Sequence, residues 1–296
     1  MAGRARTAAL TSGAMLAFAA NSLLCRTALR GGAIDAMSFT AIRLASGAVV
    51  LGALATIASR KGDSVARDEP QGTWGSAAAL TTYAIAFSLA YLRIGAGTGA
   101  LILFGFVQIT MIVGGLVRGE RPSVGQWVGV AVALGGLVTI TAPKLNAPPI
   151  GAAATMAGAG ISWGLYSLRG RGISRPLAAT TGNFARSVPF AVLLGAVGAA
   201  LGPHVTILGI ALAIASGAVA SGLGYSLWYA VVPALGATRA AAVQLSVPVI
   251  AALGAVALLG EPLTFELLVG GGAVVLGLAL AVLARRTAPS AGPSPR

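Results

Sequence analysis

Long apolar runs, broken at short intervals by glycine, proline or charge, organise this chain. Residues 7–25, 70–92, 94–117, 122–143, 145–168, 240–260 and 267–284 carry no Asp, Glu, Lys or Arg. Runs 36–59 and 176–201 each hold a single arginine, and the uncharged run 205–238 holds one helix before Pro233 and a short connector. A bilayer core of ~30 Å needs roughly 20 apolar residues per helix. The pattern therefore predicts ten transmembrane helices. The breaks carry turn and stop signals: Arg30-Gly31-Gly32, Lys61-Gly62-Asp63, Arg121-Pro122, Pro148-Pro149, Arg175-Pro176, Gly202-Pro203 and Glu261-Pro262.

One motif occurs in each half. Ser88-Leu89-Ala90-Tyr91 leads to Gly119-Glu120-Arg121-Pro122, and Ser226-Leu227-Trp228-Tyr229 leads to Gly260-Glu261-Pro262. Ser22-Leu23-Leu24-Cys25-Arg26 resembles Ser167-Leu168-Arg169-Gly170-Arg171, and the segment ending at Arg43 matches the one ending at Arg186. Five helices per half is an odd number, so the second half enters the membrane upside down. The expectation is an all-α membrane protein of two inverted five-helix repeats, residues 1–142 and 143–286, with a disordered tail at 287–296. Repeated hydrophobic halves are what pseudo-symmetric carriers are built from.

Composition agrees with a membrane chain: 56% of the residues are hydrophobic and 9% charged, against about 25% charged in an ordinary soluble domain. The net charge of +13 does not point to nucleic acid, because the basic residues lie scattered between apolar runs. They orient the chain instead. With the N-terminus inside, fourteen Lys and Arg fall on the inner side and four (Arg26, Arg30, Arg93 and Lys144) on the outer side. The positive-inside rule then predicts both termini in the cytoplasm. Arg4 and Arg6 before an apolar run have the outline of a signal peptide, but the run ends Ser22-Leu23-Leu24-Cys25, with leucines rather than small residues directly before the cysteine, and it reads as a retained first helix. One cysteine, Cys25, and one histidine, His204, leave no intrachain disulfide and argue against a metal site.

Candidate chemistry is sparse. All seven acidic residues fall in loops or at helix ends, so proton coupling through a membrane-buried acid finds no support. Glu120 and Glu261 occupy matched ends of the repeat. They are either gate or proton sites, or interfacial acids beside a helix start, where the dipole favours negative charge. Arg43 and Arg186 lie within apolar helices. Either they face a water-filled cavity and attract an anionic group such as a carboxylate, or they snorkel to the nearer interface. Asn21, Tyr83, Gln108, Trp163, Tyr166, Tyr225, Trp228 and Gln244 supply polar and aromatic points on the first, third and fourth helices of the halves. As a group they suit a small-molecule pocket, though helix–helix hydrogen bonding accounts for any one of them. Pro248, within the ninth span, is expected to kink it.

The turn at 119–122 followed by Gly125-Gln126-Trp127-Val128-Gly129, its counterpart from Pro248 to Glu261-Pro262, and Phe39 to Ala45 with Arg43 together resemble the EamA-type, ten-helix branch of the drug/metabolite transporter superfamily. The resemblance covers nearly the whole chain. It implies a multi-pass protein of the plasma (cytoplasmic) membrane that exports small metabolites such as amino acids, or toxic compounds. It also implies a central cavity lined by the third, fourth, eighth and ninth helices, with contributions from the first and sixth. The expected partners are a small-molecule substrate and the lipid bilayer. No cofactor is called for, and uniport, exchange and ion coupling all stay open. No Gly-x-x-x-x-Gly-Lys-Ser/Thr loop exists for ATP. An intramembrane enzyme would need a nucleophile with its base, or paired acids, at membrane depth, and the sequence has neither there. A non-transporting scaffold or assembly protein is the alternative, against which the short loops weigh.

Overall fold

The computed structural model describes residues 2–60, 72–117, 119, 123–141, 148–170, 173, 175–228, 230–231, 243–244 and 246–284. They form an all-helical bundle: α1 (Ala2–Arg30), α2 (Ala36–Arg60), α3 (Trp74–Tyr91), α4 (Ala96–Val117), α5 (Val124–Thr141), α6 (Ile150–Arg169), α7 (Pro176–Ala200), α8 (Ile207–Ile214), α9 (Ser246–Leu259) and α10 (Phe265–Leu283). The ten predicted helices are present. Five are long and apolar enough to cross a membrane, and the last helix of each half and α9 are apolar but shorter. The tail 287–296 and Glu120 lie outside the described residues.

Local chemistry sets the helix ends. Thr73, Thr206 and Thr264 are extended N-caps whose hydroxyls accept from the N–H groups of Ser76, Gly209 and Leu267. Asp35 does the same for α2, accepting from Ser38 N–H at 2.8 Å. Pro176 opens α7, where its missing N–H costs nothing. Gly32, with φ 62°, ends α1: its N–H donates to the Leu29 carbonyl and that of Ala33 to the Ala28 carbonyl, a left-handed cap that a Cβ would strain.

α8 does not stay α-helical. From Ala215 to Leu223 it widens into a π-helix before resuming to residue 228. This was not anticipated, since Ala, Ser and Gly in Ala215-Ser216-Gly217-Ala218-Val219-Ala220-Ser221-Gly222 carry no mark of it. Mid-helix π segments recur at functional positions.

The helix pairings obey a pseudo-two-fold. α2 packs on its equivalent α7, and α5 on its equivalent α10. The pair α4–α6 is matched by α9–α1, and α3–α7 by π-segment–α2. Inversion is visible at the loops. The α1–α2 turn meets the α7–α8 turn through an antiparallel bridge between Ile34 and Val205. His204 O accepts from Asp35 N at 2.8 Å, and Ala33 O accepts from Thr206 N at 2.9 Å. The first loop of one half therefore shares a face with the second loop of the other.

In the α5–α10 pair glycine permits backbone-to-backbone approach. A Cβ at Gly136 would lie 2.5 Å from the Gly270 carbonyl oxygen and 2.8 Å from Val274 N. In lipid such close packing replaces the hydrophobic drive between helices.

Candidate functional site

One cluster of polar and aromatic groups lies between α1, α2, α3, α6 and the π-segment. Arg43 enters it from α2, about 10 Å along the axis from the helix start. Its residue is 3% exposed. Nη2 donates to the Tyr83 hydroxyl at 3.2 Å. The guanidinium lies 5.3 Å from the Tyr83 ring centroid and 5.0 Å from that of Phe87, distances at which ring quadrupoles stabilise a desolvated cation. The Tyr83 hydroxyl is also within 3.5 Å of Asn21 Nδ2, and Asn21 Oδ1 accepts from Ser216 Oγ at 2.6 Å. Ser216 is the second residue of the π-segment, so the irregular helix delivers this hydroxyl. Arg43 Nη1 is buried with no hydrogen-bond partner among the described residues.

Rings form the wall. Trp163 stacks on Tyr225 at 5.4 Å and 16° and on Tyr166 at 5.3 Å and 26°. Tyr83 leans on Trp163 at 4.9 Å. Phe18 bridges Tyr225 at 5.7 Å and Trp228 at 6.0 Å. Each such pair adds about 0.5–1.5 kcal/mol beyond its burial, so the wall is stiff. The repeat explains its composition. In the register that matches Ser22 with Ser167, Phe18 falls on Trp163; in the one that matches Ser88 with Ser226, Phe87 falls on Tyr225. The box is thus built twice from equivalent positions.

The structure brings together seven of the candidate residues: Asn21, Arg43, Tyr83, Trp163, Tyr166, Tyr225 and, through Phe18, Trp228. Gln108 and Gln244 are half-buried, on α4 and just before α9. Arg186 is half-buried on α7, where Nη1 donates to the Gly182 carbonyl of its own helix at 3.0 Å. The two repeat-related arginines are therefore not in equivalent surroundings. Pro248 sits buried in the first turn of α9, with residues 243–244 helical just before it. Phe18, Phe87 and Ser216 were missed: two are apolar rings and one is a small hydroxyl among many.

A second polar cluster lies where the α3–α4 and α9–α10 turns meet the end of α1. Arg26 Nε is 3.1 Å from Glu261 Oε1, and both side chains are 11% exposed. Arg26 Nη1 donates to the Tyr91 carbonyl at 2.7 Å, and Glu261 Oε2 accepts from Ala96 N–H at 2.8 Å. The cation thus sits on the last carbonyl of α3 and the anion on the first N–H of α4, each at the helix end that favours its sign. Gly260, with φ 62°, turns the chain so that Glu261 reaches this point. Glu261 was a sequence candidate; its partner Arg26, in the opposite half, was not.

Ten apolar helices in two inverted halves, closed over a buried cation and an aromatic box, define a multi-pass membrane transporter fold. The chain belongs to the EamA-like transporter family, whose profile matches residues 6–142 and again 150–283. It is 50% identical over 285 residues to an uncharacterized protein of Pseudomonas aeruginosa, covering 95% of this chain and 96% of that one. It is 25% identical over 210 residues to an uncharacterized transporter of Archaeoglobus fulgidus, covering 70% of this chain and 75% of the other. A protein of known crystal structure superposes with a TM-score of 0.66 at 19% identity, over 95% of this chain and 99% of that one, and shares the fold.

Proposed function

We propose that this membrane transporter is a secondary carrier that exports a small metabolite, such as an amino acid, or a toxic compound by alternating access. Its place is the cytoplasmic membrane, with both termini inside. One observation carries the reading: Asn21, Arg43, Tyr83, Trp163 and Tyr225 come from both halves and meet in the interior of the bundle around its most deeply buried cation. A site at the seam of two inverted repeats is where rocking of one half against the other changes access. Polar groups in a lipid-buried bundle need partners, and a ligand supplies those that helices do not.

In this scheme Arg26 and Glu261 close the outer face, and Pro248, in the first turn of α9, is the candidate hinge of that helix. Transport is the assigned role rather than catalysis. The test is solute flux in proteoliposomes, with pooled amino acids and small organic acids, with and without a pH gradient. Saturable flux that is lost on Trp163→Ala, in protein that still elutes as a folded species, supports the carrier. Flux absent for every pool, or equal in the variant, contradicts it.

A further inference from the structure

We infer that the cargo of this site carries a carboxylate, and that the free edge of the Arg43 guanidinium receives it. The inference rests on the carrier reading and deepens it. A buried cation is tolerated in a membrane bundle when an anion or strong acceptors compensate it. Arg43 is 3% exposed, and among the described residues no carboxylate lies within ion-pair distance of it. Its face is covered by the Tyr83 and Phe87 rings, and Nη2 is taken by the Tyr83 hydroxyl. What stays unused is Nη1, fully buried and without a hydrogen bond.

Arginine presents its donors in one plane, and a carboxylate is the group that matches that edge. The Tyr83 and Phe87 ring centroids, themselves 5.3 Å apart, both lie to one side of the guanidinium, so they hold it in place and leave Nη1 as the donor for a ligand. The Tyr83 hydroxyl, tied to Asn21 and through it to Ser216, adds a polar point next to this edge. Around it stand aromatic rings, Phe87 beside the guanidinium and Trp163 packed against Tyr83, Tyr166 and Tyr225, so the rest of the cargo meets apolar ring carbon. The site is therefore assigned to small organic anions with an apolar body. Arg186 is not the anchor, because it is half-buried and bonds to its own helix.

The experiment compares each carboxylate with its isosteric amide on the purified full-length protein in detergent. Acetate and acetamide, benzoate and benzamide, and phenylacetate and phenylacetamide are titrated by calorimetry and by thermal unfolding. Binding of at least one acid about tenfold or more tighter than its amide is expected, as a charge-assisted bond requires. Arg43→Gln should erase that preference and Arg43→Lys should keep part of it, while chloride at equal concentration should not compete. Equal binding of acid and amide in every pair, a preference that survives in Arg43→Gln, or full competition by chloride would overturn the assignment. If Arg43→Gln does not fold, the wild-type pairs and Arg43→Lys still decide. Carboxylate binding without flux in proteoliposomes keeps the anion site and removes the carrier. Saturable flux with no acid-over-amide preference does the reverse.

Discussion

Glu261→Gln should loosen the face that Arg26 and Glu261 hold shut, and the chain's own cysteine reports it. The substitution keeps an amide oxygen for the Ala96 N–H but removes the charge 3.1 Å from Arg26. Arg26 is then left nearly buried, with the Tyr91 carbonyl as its remaining acceptor. Losing one partner of a buried pair costs about 3–5 kcal/mol. The retained acceptor, and the 11% exposure of both side chains, bring the expected loss to about 1.5–3 kcal/mol. That is about 10- to 100-fold in the balance between closed and open face. Cys25 is fully buried, adjoins Arg26 in the chain, and lies 4.0 Å from Ser88 Oγ. A water-soluble maleimide should react with it in proportion to the open population. The rate should rise about 10- to 100-fold in Glu261→Gln. An unchanged rate in a variant that folds, or fast labelling already in the native protein, would refute the latch.

Three further outcomes follow from the packing. Gly136→Leu forces a side chain against the Gly270 and Val274 backbone, which cannot give way as a side chain can. Thermal unfolding in detergent should show a loss of about 1–3 kcal/mol or more, and an unshifted midpoint would mean that α5 and α10 are not locked there. Tyr83→Phe removes the hydroxyl shared by Arg43 and Asn21. It should cost about 1–3 kcal/mol and weaken ligand binding, with calorimetry as the check. Thr206→Ala removes both the cap on Gly209 N–H and the bond to the Ala33 carbonyl. It should cost about 1 kcal/mol, with faster amide hydrogen exchange at residues 206–209 as the local readout.

Much of this architecture is written in where charge is absent or single. α2, α4 and α7 begin and end within a few residues of their apolar runs, of which only that of α4 is wholly uncharged, since a charged or glycine-rich break inside a bilayer is costly. α1 departs from this. It runs past Cys25 to Arg30, because Arg26 finds Glu261 and a carbonyl from other helices and needs no water. That partnership spans 235 positions and leaves no local trace. The depth of Arg43 was legible because a lone charge in an apolar run is conspicuous; whether it or Arg186 would be fully enclosed was not, since the two runs look alike. The rings of Tyr83, Trp163 and Tyr225 stood out by their polar atoms. Phe18 and Phe87 did not, although the repeat register places them opposite Trp163 and Tyr225. The π-segment escapes propensity reasoning altogether: small residues fit α and π geometry alike, and tertiary contacts of Gly217 with the backbone of α2 accompany the wider turn.

The most direct test of the central claim is exchange in proteoliposomes. Vesicles preloaded with an unlabelled small carboxylate are diluted into the same compound carrying an isotope, and its entry is followed over a range of concentrations. A carrier that alternates around one buried site predicts saturable entry that unlabelled cargo on the far side accelerates, and loss of both features in Trp163→Ala. Entry that rises linearly with concentration, ignores the far side, or matches protein-free vesicles would contradict the account.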